Sequence, residues 1–128
     1  MHEKMKDSAR RSLEAVLSLR PNERFLAITD DVKGPIGQAF RDAALELGCE
    51  AELYMLDPAI RPLQELPADL AEAIEPTTVV VNCFQAFPEE TPFRIALIRN
   101  LIADHPRRVG HAPGITEDMM ISGPMDVS

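Results

Sequence analysis

Residues 77–84 read TTVVVNCF, and they are the strongest single indication of the fold. Three valines follow two threonines, so five β-branched residues run on without the polar alternation of a strand that faces water on one side. Such a run is typical of a strand buried on both faces of a parallel sheet. We therefore expect a central strand here, with other elements covering both faces of its sheet.

Strands and helices alternate on both sides of this run. The clearest helix has apolar residues at i, i+3, i+4 and i+7 spacing from Ile36 to Leu47, with Gly48 at a C-terminal cap position. Further strands are predicted at 24–30 (RFLAITD), 52–56 (ELYML) and 108–111 (RVGH). Further helices are predicted near 9–17, 67–74 and 91–102, and a last one begins at Thr116.

This alternation predicts an α/β fold, in which right-handed βαβ units form a three-layer sandwich around a mostly parallel sheet of about four strands. The fold would be Rossmann-like without a dinucleotide fingerprint, because residues 34–37 read GPIG and lack the GxGxxG spacing. A chain of 128 residues, 45% of them hydrophobic, can bury roughly two-thirds of its unfolded surface. Residues 1–128 are therefore predicted to form a single domain.

The net charge and the two cysteines limit the classes of binding partner and the cellular compartment that we expect for this protein. Thirteen basic and 21 acidic residues give a formal charge of −8, which would repel nucleic acids and anionic membranes. We expect no membrane span and no signal peptide, because no apolar run is long enough for either. Cys49 and Cys83 lack ligand-like spacing and adjoin apolar segments, as buried free thiols do, which favours the reducing cytoplasm.

Ligands of open parallel sheets bind at the carboxyl ends of the strands, where the strand order reverses. The predicted loops at 29–33, 82–87 and 111–116 lie at such ends. Their polar side chains are the candidates for contact with a small peptide or another small molecule: Asp30, Asp31, Asn82, His111, Thr116 and Glu117.

Most of these candidates also have a structural interpretation. Asp30 and Asp31 could bind an amine or a cation, but such residues more often shape a turn and cap the next helix. Thr116, with Glu117 after it, is first of all a helix start. His111 could be a ligand or a general acid or base.

The sequence carries no recognisable catalytic motif. It has no GxSxG elbow, no P-loop, no HExxH and no spaced set of His, Cys and acidic residues. Cys83 has no evident base or cation to lower its pKa, so it is expected to be a buried structural thiol. The adjacent Arg107 and Arg108 are expected to be solvated. We therefore assign no catalytic residue and no metal ligand.

Two stretches resemble a known family. Residues 25–56 (FLAITDDVKGPIGQAFRDAALELGCEAELYML) and 109–127 (VGHAPGITEDMMISGPMDV) are similar to the N-terminal domain of the thermophilic-type metallo-aminopeptidases, the aminopeptidase T and aminopeptidase S group. The second stretch also looks like the corresponding segment of the related dihydroxypyridine ring-cleaving dioxygenases. The likeness extends from about Leu13 to Val127.

The resemblance implies a leucyl aminopeptidase-like metallopeptidase. Its divalent metals, a pair of zinc or cobalt ions, would be bound by Glu, His and Asp residues of a C-terminal domain, so no ligand carries over to this sequence. The N-terminal domain would form one wall of the cleft and contribute to homodimer contacts. Residues 82–94 (NCFQAFPEETPFR) depart from the Ser- and His-containing pattern of the family. The sequence would then be the N-terminal part of a longer protein and inactive alone.

Two further interpretations stay open. The chain could be a stand-alone, non-catalytic α/β module that binds a small ligand or self-associates. It could also belong to the ring-cleaving branch, which an N-terminal half does not separate from the peptidases.

Overall fold

Helices and strands alternate along the chain in the computed structural model, which describes residues 2–15, 17–85, 87–103 and 107–111. The helices are α1 (His2–Ala15), α2 (Gly34–Glu46), α3 (Ala68–Ile74) and α4 (Thr91–Ala103). The strands are β1 (Arg24–Thr29), β2 (Glu50–Met55), β3 (Val79–Asn82) and β4 (Arg108–His111). These elements confirm the predicted order of strands and helices. The structure also contains two short 3-10 turns that were not predicted, at Pro58–Ile60 and Pro88–Glu90. The helix predicted from Thr116 lies outside the described residues.

The four strands form one parallel sheet in the order β2-β1-β3-β4. The run of valines in β3 lies between β1 and β4 and is buried, as its composition predicts. β2 lies on one side of β1 and β3 on the other, so the strand order reverses between β1 and β3. The α/β fold with a parallel sheet of four strands is therefore confirmed.

Each face of the sheet has its own hydrophobic core, because alternate residues of a strand point to opposite faces. On one face, Phe25 and Val81 belong to a cluster with apolar residues of α1 and α2. On the other face, Ile28 and Val80 belong to a cluster with residues of α3 and α4. These two cores confirm the three-layer arrangement. No helix in the described part of the chain has the length and apolar character needed to cross a membrane.

The apolar residues of α4 do not form the single broad stripe that the sequence suggests. Phe93, Leu97 and Leu101 are buried against the sheet at i, i+4, i+8 spacing. Ile98 and Ile102, which the sequence groups with them, are 53% and 65% exposed. A helix in an outer layer packs one face on the sheet, so the second apolar face of α4 points away from this core.

Arg107 corrects the expectation that residues 107 and 108 are solvated. Its guanidinium is buried and donates hydrogen bonds to the carbonyl oxygens of Thr77, Leu101 and Glu75. The last two oxygens lie at the carboxyl ends of α4 and α3, where backbone carbonyls lack helical partners and a cation is favourable. Arg108 is partly buried and pairs with Glu23.

Gly37 sets the distance between α2 and the sheet. A Cβ atom at this position would lie 2.8 Å from Cβ of Thr29 and 2.9 Å from Cδ1 of Leu53. Both distances are shorter than side chains tolerate, so any larger residue must displace the helix or the strands.

Gly37→Val is therefore expected to lower the free energy of unfolding by about 1–3 kcal/mol through overpacking. Gln38→Val is the matched control, because Gln38 is the next residue of the same helix and is exposed. Chemical denaturation of both variants measures the effect. A Gly37→Val midpoint equal to that of the wild type would contradict this packing of α2.

Candidate functional site

The carboxyl edge of the sheet between β1 and β3 is the place where a ligand is expected in this topology. Two loops meet there directly. The backbone N–H of Cys83 donates to the carbonyl oxygen of Ile28 at 2.9 Å, and that of Gln85 donates to Oδ2 of Asp30 at 2.7 Å. The segment after β3 is therefore fastened to the end of β1.

Asp30 lies at the centre of this edge and is fully buried. Besides the bond from Gln85, its carboxylate accepts hydrogen bonds from the backbone N–H of Lys33 at 2.7 Å and from Nη1 of Arg61 at 3.0 Å. The bond to Lys33 closes the turn that leads into α2, which is the structural role considered for this residue. Asp31 is exposed, so the adjacent aspartates do not act as a pair.

Arg61 is the residue that sequence reasoning missed. It comes from the irregular connection after β2, yet its side chain is only 4% exposed and enters the edge between the loops. Its Nε and Nη2 atoms bind the two carboxylate oxygens of Glu90 at 2.8 and 2.5 Å, the two-pronged geometry that guanidinium groups favour. Nη2 also donates to the carbonyl oxygen of Gln85 at 2.8 Å. The carbon of the guanidinium lies 4.0 Å from the ring centroid of Phe87.

Glu90 completes this buried ion cluster. Its carboxylate also accepts the backbone N–H of Leu63 at 2.9 Å. Burial favours the neutral acid, but the hydrogen bonds from Arg61 and Leu63 outweigh it and lower the pKa of Glu90. The bond to Glu90 in turn raises the pKa of Arg61. Because the pKa of Glu90 is lower in the folded state, its stabilising contribution is present at neutral pH and is lost as the pH falls through that pKa.

The guanidinium of Arg61 therefore occupies the position where a ligand would be expected. It donates hydrogen bonds to one oxygen of Asp30 and to both oxygens of Glu90. Neither carboxylate therefore offers a free binding site to an external amine or cation. Asp30, which the sequence offers as a site residue, is used here with Glu90 to hold the loops together.

Asn82 is the candidate that the structure leaves with unused hydrogen-bonding capacity. It ends β3, pairs in register with Ile28 and His111, and is 2% exposed. Its Oδ1 atom is buried and has no hydrogen-bond partner among the described residues. A buried acceptor without a partner is costly, so it can mark a contact reserved for a ligand. The side chain of His111, and all of Thr116 and Glu117, lie outside the described residues.

Cys83 cannot serve as a nucleophile in this state. Burial raises the pKa of its thiol to about 12, and Sγ donates to the carbonyl oxygen of Ile28 at 3.3 Å. The predictions that Cys83 is a structural thiol and that both cysteines are buried and free are therefore confirmed. In the described part of the chain, no three His, Cys, Asp or Glu side chains come together as a metal would require. The donor set described here does not fit a divalent ion.

Comparison with known proteins shows a shared fold and no family. No family model and no curated protein matches the chain. Among solved structures, it is similar to 2,5-dihydroxypyridine dioxygenase from Pseudomonas putida KT2440, with a TM-score of 0.51 and 11% identity. The match covers 70% of this chain and 30% of the dioxygenase chain. At this identity the similarity shows the α/β fold alone. Membership of the aminopeptidase family stays a prediction.

Asn82→Leu is expected to raise the free energy of unfolding by about 1 kcal/mol, because it replaces an unpaired buried acceptor with an apolar group of similar size. Thr77→Val is the matched control. It removes a buried hydroxyl that donates to the carbonyl oxygen of Ile74 at 2.6 Å, so it should lower stability. Equal losses in the two variants, measured by chemical denaturation, would show that Oδ1 of Asn82 has a partner in solution.

Proposed function

We propose that this chain is the N-terminal α/β domain of a leucyl aminopeptidase-like metallopeptidase that works in the cytoplasm. In this role it forms one wall of the substrate cleft, and the divalent metals are bound by a C-terminal domain. The resemblance of residues 25–56 and 109–127 to that family supports the proposal.

The main support for the proposal is that the ionisable groups described at the carboxyl edge of the sheet have structural roles and are not poised for catalysis. Asp30 and Glu90 are bound to Arg61, and the pKa of the Cys83 thiol is far above neutral pH. A domain built in this way supplies shape and polar contacts, while the water that attacks the peptide bond would be activated by metal ions bound elsewhere. Asn82 is the described residue best suited to contact a substrate.

A second candidate function rests on the same asparagine. The unpaired Oδ1 of Asn82 lies at the point of strand reversal where small ligands bind in open α/β sheets. A stand-alone domain could use it to accept a hydrogen bond from a small molecule without performing chemistry. This alternative needs no second domain.

The test is to read the source gene beyond the codon for Ser128 and to assay the longer product. We expect zinc- or cobalt-dependent release of leucine from leucine p-nitroanilide, and no release by the 128-residue chain used as the control. Asn82→Leu in the longer protein is expected to raise KM more than it lowers kcat, because the residue contributes to binding.

Three results would contradict the peptidase proposal. A stop codon directly after Ser128 would favour the ligand-binding module. Oxygen consumption with a dihydroxypyridine in place of amide hydrolysis would indicate the ring-cleaving branch. Hydrolysis by the longer protein that survives chelation of metals would exclude the metal-dependent mechanism.

A further inference from the structure

The two flanks of α4 differ in how well they are covered. On the flank toward α3, the side chains of Ala96 and Asn100 are partly buried. On the opposite flank, Ile98 and Ile102 are 53% and 65% exposed. Large apolar side chains are therefore left in water on the flank that no helix of the described part of the chain covers.

The uncovered flank of α4 lies on the side of β4, at the end of the sheet order. α4 leads from β3 to the neighbouring β4, and such connections are right-handed. Successive residues of a helix advance by about 100°, clockwise when viewed from its start, which places Ile98 and Ile102 on the β4 side of the helix axis. Val109 of β4 pairs with Val80 and so points into the same layer, where it is 37% exposed. We call these three exposed residues, Ile98, Ile102 and Val109, the open flank.

The chain leaves β4 beside the open flank. β4 ends with His111 at the carboxyl edge of the sheet, and α3 and α4 both return from that edge over this face. A third return of the same hand would run next to α4, on the side away from α3. The open flank lies at that position, so the segment that follows β4, residues 112–128, is the first candidate to cover it.

The sequence of residues 112–128 fits such a return. Pro113-Gly114 predicts a turn, Thr116 a helix start and Gly123-Pro124 a helix end. A helix over residues 116–122 would be about 10 Å long, the same length as the stretch of α4 from residue 95 to residue 102 that carries the exposed isoleucines.

The composition and charge of this segment also complement α4. Ile115 and Met119 are four residues apart and would lie on one side of the predicted helix. Residues 112–128 contain three acidic residues and no lysine or arginine, whereas α4 contains two arginines and no acidic residue. Arg94 is at the carboxyl-edge end of α4, where the acidic start of the predicted helix would also come. Opposite charges would therefore meet at the same end of the two helices.

We propose that residues 115–122 dock as a helix on the open flank of the same chain, alongside α4 and in the same direction. Ile115 and Met119 then pack against the two exposed isoleucines, which removes apolar surface from water. The docked helix begins at the carboxyl edge close to His111, which pairs in register with Asn82, so it also borders the edge of the sheet at Asn82.

Methyl NMR of the wild-type chain tests this contact without a substitution. Nuclear Overhauser effects are expected between the methyl group of Met119 and the δ1 methyl groups of Ile98 or Ile102, because docked side chains touch. These effects should persist on dilution. Their absence in the folded protein would overturn the proposal. Effects seen only between differently labelled copies would place the segment on a second molecule, which would overturn it as well.

A tryptophan reporter gives a second readout, because the chain contains no tryptophan. In the Met119→Trp variant the emission is expected to be blue-shifted relative to the same variant in denaturant, since docking removes the indole from water. Adding Ile98→Asp should abolish this shift, because it puts a charge in the contact. Adding Leu45→Asp is the matched control, at a residue of α2 that is 50% exposed on the other face of the sheet, and it should leave the shift unchanged. Circular dichroism checks that each variant folds.

Two results with the reporter would contradict the proposal. An emission of the Met119→Trp variant equal to that of its denatured form would show that residue 119 stays in water. A blue shift that Ile98→Asp leaves unchanged would place the segment elsewhere on the protein. Neither readout depends on peptidase activity, so the outcome is independent of the function proposed above.

Discussion

The buried ion cluster of Arg61 with Asp30 and Glu90 is the interaction on which the carboxyl edge of this sheet depends. It joins three segments that are distant in sequence: the turn after β1, the connection after β2 and the loop after β3. Removing the cation would leave two carboxylates in a site from which water is excluded, and breaking such a buried pair costs about 3–5 kcal/mol. The cluster therefore fixes the relative positions of the loops at the point where strand order reverses.

This constraint also limits what the domain can do. Open α/β sheets usually offer their ligands charged or polar groups at the reversal point, whereas here the carboxylates of Asp30 and Glu90 are both bound by Arg61 of the same chain. Among the described residues of this edge, Oδ1 of Asn82 is the buried polar atom without a hydrogen-bond partner, and an amide can orient a substrate but not activate it. This arrangement is consistent with the proposed role, in which the reaction would be catalysed by another domain.

The secondary structure was predictable because it is encoded locally. A pattern of a few residues is enough to predict burial in both β3, with its run of valines, and α2, with its regularly spaced apolar residues. The site was not predictable to the same degree, because Arg61 lies 31 residues from Asp30 and 29 residues from Glu90 in a segment without periodicity. Asp30 was found from its place at a strand end, but its partner was not. The two faces of α4 and the buried Arg107 likewise depend on tertiary contacts that no local pattern records.

Nitrogen-15 NMR of the arginine side chains at neutral pH tests the ion cluster most directly. The exposed Arg99 in the same spectrum is the internal reference. The Nε–H of Arg61 donates to Glu90 at 2.8 Å in a buried site, so its proton is expected to exchange with water far more slowly than that of Arg99. Rotation of its guanidinium should also be restricted. An Arg61 proton that exchanges as fast as that of Arg99 would show that the crevice is open and its carboxylates are free.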